Sequence, residues 1–243
     1  MPRSMSHHLD YFEAVSQDCM PKADFHLHTN WTDGEHSVED MYSRAVDLGL
    51  ECVLFSEHGR ESSVDWFPAF ADEVRALERR SCTALVGLET KVVDFEGNLD
   101  TTQEIVRECD LVMASVHRFP AELNPRGNPD RLSPEEVIET EFRLARAALA
   151  NPAVDILGHP FGMCLRRFEV TPPDSSFMAL IEVAAEYQVA FEINPHYHQD
   201  LWKLIKWCQA AGAPISLGSN AHHVDAVGRV LDRLRAEVSD ATP

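Results

Sequence analysis

The stretch ADFHLHTNWTDG, residues 23–34, decides the reading of this chain. It is a short apolar run interrupted by His26 and His28 and closed by an Asp-Gly turn at Asp33 and Gly34. On a strand, residues two apart face the same side, so His26 and His28 can grip one ion while Leu27 turns into the packing. The Asp-Gly turn can aim a carboxylate back at the same place. Asp24 reads as a structural or supporting group.

Working outward, the same arrangement recurs. VLFSEH ends at His58, ALVGLE at Glu89, LVMASVH at His117, and VDILGHP carries His159. ISLGSNAH closes the series with Asn220 and His222. Histidine and carboxylate are the common ligands of zinc, manganese and iron. One histidine after one apolar run is usually a hydrogen-bonded structural residue. Six histidines, an aspartate and a glutamate at successive strand ends are another matter, because strand ends on one rim of a barrel converge in space. Glu89 is the sharpest single case: a carboxylate ending an apolar strand is costly unless cations share it. At residues 57 and 58 the histidine is the expected ligand, since Glu57 points elsewhere if the strand persists.

Between these runs lie amphipathic segments, roughly 37–48, 64–80, 101–108, 133–150, 174–187, 199–211 and 225–237. Strands are expected to end near His28, Glu57, Glu89, Val116, Gly158, Asn194 and Gly218. Ser133 and Pro134 make a good helix start, and Gly49 and Gly212 fall where helices should stop. Seven strand–helix units predict a parallel α/β architecture. Residues 1–20 read as a leader and 21–243 as a single barrel domain. The Pro-, Asn- and Gly-rich stretch 118–132 is expected to be a long loop, either facing the substrate or serving as a solvated connector.

A chain of 243 residues with 44% hydrophobic content can bury a full core, and the length is normal for an α/β barrel. Its formal net charge of -19 disfavours long nucleic acid and anionic membranes as partners. The polar, acidic N-terminus lacks the pattern of a secretory signal, and the six cysteines are scattered without a CxxC pair. These features predict a cytoplasmic protein.

The ordered series HxH…D…H…E…H…H…xH resembles the PHP family, the polymerase and histidinol phosphatase domain, from about Ala23 to Arg229. GLETKVVDFEGNLD followed by DLVMASVH is similar to its free-standing phosphoesterases. The resemblance implies a distorted (β/α)7, TIM-like barrel holding two or three divalent metal ions, Zn, Mn or Fe. Carried over by position, one ion takes His26, His28, Glu89 and residue 220. A second takes Glu89, His117 and His159, and a third takes Asp33, His58 and His222. The chain departs from the family at Asn220, in Gly218-Ser219-Asn220-Ala221-His222, where aspartate is usual. An amide oxygen is neutral, a weaker ligand for zinc or iron, and cannot take a proton from water.

Clustered divalent ions suit phosphoester hydrolysis through a metal-activated hydroxide, here with Glu89, Asp33 and His222 as the catalytic candidates. Arg60, Lys91, Arg118 and Arg166 (with Arg167 beside it) are candidates to hold a small phosphorylated substrate, together with His196. His198 and His223 are further candidates for substrate contact or proton transfer; His36 is a weaker one. The expected activity is hydrolysis of a small phosphomonoester, histidinol phosphate being one possibility. The alternatives are a phosphodiesterase acting on a nucleotide or short oligonucleotide, and a metal-binding protein weakened in catalysis by Asn220. Amidohydrolase chemistry ranks low, because it relies on an aspartate at the position of Asn220.

Overall fold

The computed structural model describes residues 20–78, 80–120 and 132–240, together with residues 12, 15 and 16. Most of the leader 1–20 and the central part of the loop 118–132 lie outside the described residues.

Seven parallel strands follow the chain order: β1 (Ala23–Leu27), β2 (Cys52–His58), β3 (Thr83–Lys91), β4 (Leu111–Ser115), β5 (Ile156–Gly158), β6 (Ala190–Ile193) and β7 (Ile215–Leu217). Seven α-helices connect or follow them: α1 (Val38–Asp47), α2 (Phe67–Ala76), α3 (Gln103–Glu108), α4 (Pro134–Leu149), α5 (Asp174–Tyr187), α6 (Leu201–Ala211) and α7 (Arg229–Asp240). Neighbours in sequence are neighbours in the sheet throughout. Between β1 and β7 the seam is drawn together at the C-terminal end. There Leu27 bridges Ala221, His28 N–H donates to the Ala221 carbonyl at 2.9 Å, and Ala221 N–H donates to the His26 carbonyl at 3.0 Å. The result is the expected nearly closed (β/α)7 barrel.

The caps explain the helix starts. Ser37 and Ser133 each form a reciprocal capping box with Asp40 and Glu136, and Thr102 and Asp200 cap α3 and α6. Gly212 closes α6 in the left-handed conformation at φ +74. Two boundaries differ from the sequence expectation. The segment expected over 64–80 splits into a short 3-10 turn, Glu61–Asp65, and α2, because Pro68 suits a first helical turn. The segment expected over 225–237 begins as a 3-10 turn, Val224–Ala226, and α7 starts only at Arg229, after Gly228 at φ +75.

The barrel interior is layered, and its layers place the site. Its floor is apolar: Phe25, Leu54, Leu85, Leu111, Met113 and Ile156 belong to one buried cluster. Along β2, β3 and β4, Leu54, Leu85 and Met113 share their strand face with His58, Glu89 and His117, respectively. The larger cluster lies between the sheet and the helices and includes Leu27, Phe55, Val86, Val112 and Phe191. Strand β1 needs a correction of phase to join this scheme, because Phe25 faces the interior floor while Leu27 packs outside. The register supplies it: Asp24 pairs with Val53 but Leu27 with Phe55, so β1 carries one extra residue. That bulge turns both His26 and His28 inward.

Candidate metal centre

Glu89 sits at the middle of the site, near the end of β3 and 2% exposed. Its Oε1 lies 2.8 Å from His159 Nε2, 3.1 Å from His117 Nε2, and accepts from Ser115 Oγ at 2.7 Å. Oε2 lies 3.0 Å from His58 Nδ1 and 3.4 Å from the Nε2 atoms of both His26 and His28. One buried carboxylate thus faces five imidazoles, delivered by β1, the ends of β2 and β4, and the turn after β5.

Asp33 closes the mouth. Its carboxylate lies 3.4 Å from His58 Nε2 and 3.2 Å from His222 Nε2. His28 stacks between His58 and His222, with 4.4 Å between ring centroids on each side. The candidate ligand atoms fall into three overlapping groups: His28, Asp33, His58 and His222; His26, Glu89 and His159; and His58, Glu89 and His117. These share most members with the three sets implied by the resemblance, but here His28 lies with the Asp33 group and His58 also lies with Glu89 and His117. Asn220 lines the same cleft, with its Nδ2 3.5 Å from the Tyr197 hydroxyl and its Oδ1 buried without a hydrogen-bond partner.

The donor chemistry fits metal ions. His26 Nδ1 lies 2.7 Å from Glu192 Oε1, a contact that would leave Nε2 as the atom to face a cation, and Nε2 lies 3.0 Å from His28 Nε2. His117 and His159 likewise face each other through Nε2 at 3.2 Å. Glu89 Oε2, His28 Nδ1 and His159 Nδ1 are buried and lack hydrogen-bond partners. Lone pairs and carboxylate oxygens converging in this way are costly alone and resolved by shared cations.

Within the cluster the carboxylates and imidazoles shift one another. At Glu89 burial alone would raise the pKa, but the imidazoles of His117 and His26 hold it well below the usual carboxylate range. His222 and His58 do the same for Asp33. Burial opposes charging His58, yet Asp33 and Glu89 beside it push its pKa up to about 10. At His28 burial and the neighbouring His26 push the pKa well below the ordinary value.

Supporting residues fix these ligands. Glu192, wholly buried on β6, binds His26 with one oxygen and accepts the His159 backbone N–H with the other. Asn194 Nδ2 donates to the same carboxylate at 2.9 Å. Burial would raise the Glu192 pKa, but His26 brings it below the usual value. Glu57 does point away from the cleft: it accepts from Thr29 N–H at 2.6 Å and from the Thr32 hydroxyl, holding the loop that carries Asp33. Asp24 clamps the barrel seam by accepting from Ser219 and Gly228 N–H, both at 2.8 Å. His159 and Asn220 both take positive φ, 26 and 50, a strained backbone of the kind found at functional sites.

The cleft over the centre has a volume of about 530 Å³. Arg60, Lys91, Arg118 and His196 line it. Arg166 does not: its guanidinium binds the His196 carbonyl, with Nε at 2.9 Å, and so supports the loop rather than facing the cleft. His198 does not line it either: it is buried, accepts from Asn194 N–H at 3.1 Å and lies 3.1 Å from the Pro160 carbonyl. His223 caps the turn at Asp225 and packs on His36. Two residues escaped sequence reasoning. Glu192 had a readable signal, a carboxylate inside the apolar strand AFEIN. Tyr197, whose ring stacks on His159 at 4.4 Å, had none.

Comparison with known proteins places this geometry. The PHP domain model matches residues 24–196. A probable phosphatase of Caldicellulosiruptor bescii is 25% identical over 227 residues, covering 90% of this chain and 83% of the relative. The DNA polymerase/3'-5' exonuclease of Bacillus subtilis is 26% identical over 230 residues, covering 90% of this chain but 37% of that protein. Among solved structures, a putative histidinol phosphatase of Listeria monocytogenes superposes with a TM-score of 0.64 at 17% identity, covering 85% of this chain and 97% of the other. A histidinol phosphate phosphatase of Lactococcus lactis, complexed with zinc, L-histidinol and phosphate, superposes at 0.60 and 18% identity, covering 91% and 94%. At such identities the two structures speak for the fold alone. With the family model spanning most of the barrel, this chain belongs to the PHP family and is a metal-dependent hydrolase of that kind.

Proposed function

We propose that this chain hydrolyses a small phosphomonoester at a di- or trinuclear metal centre. The observation that carries this reading is Glu89, one buried carboxylate with imidazole nitrogens from five histidines within 3.4 Å of it. The names of the relatives, probable phosphatases, point the same way. His26, His28, Asp33, His58, Glu89, His117, His159, Asn220 and His222 would hold the ions, drawn from Zn, Mn or Fe. Bound there, divalent ions supply water activation and charge stabilisation for phosphoryl transfer.

The chain's own residues do the positioning. Glu89 is held in place by Ser115, and Glu192 fixes the tautomer of His26. Asp33 and His222 stand at the mouth, where an incoming substrate meets them first. His222 Nδ1 lies 3.1 Å from the Asn220 carbonyl, which leaves its Nε2 turned to Asp33 and the cleft. Arg60, Lys91 and Arg118 give the cleft a cationic lip in a chain of net charge -19, so an anion is drawn to that lip and not to the surface at large.

A panel of phosphomonoesters, cyclic nucleotides and dinucleotides, assayed with Mn, Zn and Fe(II) and with a chelator, tests the reading. Turnover of monoesters that stops with the chelator is expected. Turnover of the diesters alone would replace this reading with phosphodiesterase activity, and no turnover of any member would leave a metal-binding protein.

A further inference from the structure

Arg60, Lys91 and Arg118 sit one or two residues beyond His58, Glu89 and His117, at or just past the C-terminal ends of three adjacent strands, β2, β3 and β4. They therefore form a second tier directly outside the candidate ligands. At a strand rise of about 3.3 Å per residue, Lys91 stands roughly 7 Å further up the barrel than Glu89.

Arg60, Lys91 and Arg118 line two cavities at once. On one side is the cleft over the metal centre. On the other is an outer cavity of about 300 Å³, whose remaining wall is Val92, Val93, Phe119, Pro120 and Asp100. Val93 is a large apolar side chain left 45% exposed. Among the described residues Asp100 is the one carboxylate on that wall, and it also accepts the Glu61 N–H at 3.3 Å. Among the described residues, no carboxylate forms an ion pair with Arg60, Lys91 or Arg118. Three clustered cations without an ion-pair partner repel one another at a cost that a bound anion removes. A phosphate at the metal centre would be met first by the inner tier, which leaves the outer tier for a second group. Guanidinium groups favour a planar, two-point grip on phosphate.

We propose that Arg60, Lys91 and Arg118 form an anion subsite separate from the metal centre, so that the substrate carries a second phosphate beside the one removed, with its less polar body against Val92, Val93 and Phe119. This rests on the phosphoesterase reading above and narrows its substrate class to small bisphosphorylated molecules. The subsite also explains why the two cavities meet at the cations and not at an apolar neck.

The test measures binding of unreactive phosphonates to the metal-loaded protein by calorimetry, so that no turnover is needed. Butylphosphonate carries one anionic group, phosphonobutyrate adds a carboxylate, and trimethylene bisphosphonate adds a second phosphonate. The bisphosphonate is expected to bind about tenfold or more tighter than butylphosphonate, with phosphonobutyrate between them. Its affinity should fall more steeply with added salt. In Arg60→Gln/Arg118→Gln the advantage of the bisphosphonate should shrink to about threefold or less. Lys91→Gln alone should show a smaller loss of the same kind, and serves if the double variant does not fold. Equal binding of butylphosphonate and bisphosphonate by the wild type would overturn the subsite alone. So would an equal loss of both ligands in the variants, which would place the cations on the reacting phosphate. Phosphonobutyrate matching the bisphosphonate would replace the second phosphate with a carboxylate. Failure of all three to bind would overturn the phosphoesterase reading itself.

Discussion

At the scale of single residues, the site depends on carboxylates that are buried and shared. Glu192 shows how. It touches the cleft only through His26 and the backbone of His159, yet it fixes which nitrogen of His26 is free. Glu192→Gln keeps the shape and loses the charge-assisted bond. Metal affinity is expected to fall about 10- to 100-fold, with the fold retained. Metal titration followed by circular dichroism checks this; affinity equal to wild type would reduce Glu192 to packing. Asn220 makes the opposite prediction. Its Oδ1 is buried and unpartnered beside the cleft. In Asn220→Asp the added charge should tighten metal binding and raise turnover near neutral pH. If instead KM rises while metal content holds level, the asparagine suits a more negatively charged substrate. Unchanged metal content, kcat and KM together would put residue 220 outside the coordination sphere.

At the scale of elements, the strand ends act as a platform that requires specific small residues beneath it. A Cβ on Gly218 would lie 2.1 Å from Glu192 Oε1 and 2.8 Å from His26 Cβ. Gly218→Ala is therefore expected to displace the His26–Glu192 pair and destabilise the fold by about 1–3 kcal/mol. Loss of metal should accompany the loss of stability, as read by chemical unfolding and elemental analysis of the same sample. Helix α4 contributes a second device. Its Glu141 is buried and accepts from Met163 N–H at 3.1 Å and Cys164 N–H at 2.6 Å, fixing the turn that follows His159. Burial pushes the Glu141 pKa up to about 7 from an ordinary 4.5. The folded state thus holds a proton that the unfolded chain releases between those values. The associated stability is present at the acid end and is lost as pH rises through that window. Relative to Glu141→Gln, wild type should lose on the order of 3 kcal/mol between about pH 4.5 and pH 7. Urea unfolding of both proteins at several pH values reads the difference; a difference independent of pH would contradict it.

At the scale of the whole molecule, much of the barrel was legible because several strands end in or near a residue that carries chemistry. Apolar runs closed by His58, Glu89 and His117 marked β2, β3 and β4 to within about two residues, and the ligand series marked the rim. Phase within β1 was not legible. The bulge between Asp24 and Leu27 is a property of pairing with β2, and nothing in ADFHL announces it. Nor did the sequence reveal that Arg166 and His198 serve loop structure, since their partners are the backbone carbonyls of His196 and Pro160, contacts that carry no sequence signal. Arg60, Lys91 and Arg118 were readable as cations near ligands, but their sharing of two cavities emerges only when three strands stand side by side. No described helix is long and apolar enough to cross a membrane.

The central claim is that Glu89 and its imidazoles hold metal ions on which hydrolysis depends. Elemental analysis of wild type and Glu89→Gln, purified without added metal, tests it most directly. Wild type is expected to carry about two to three transition-metal ions per chain, and Glu89→Gln to lose most of them. A metal-free wild type that hydrolyses phosphomonoesters at full rate would contradict the account, and so would a Glu89→Gln variant that keeps the full complement.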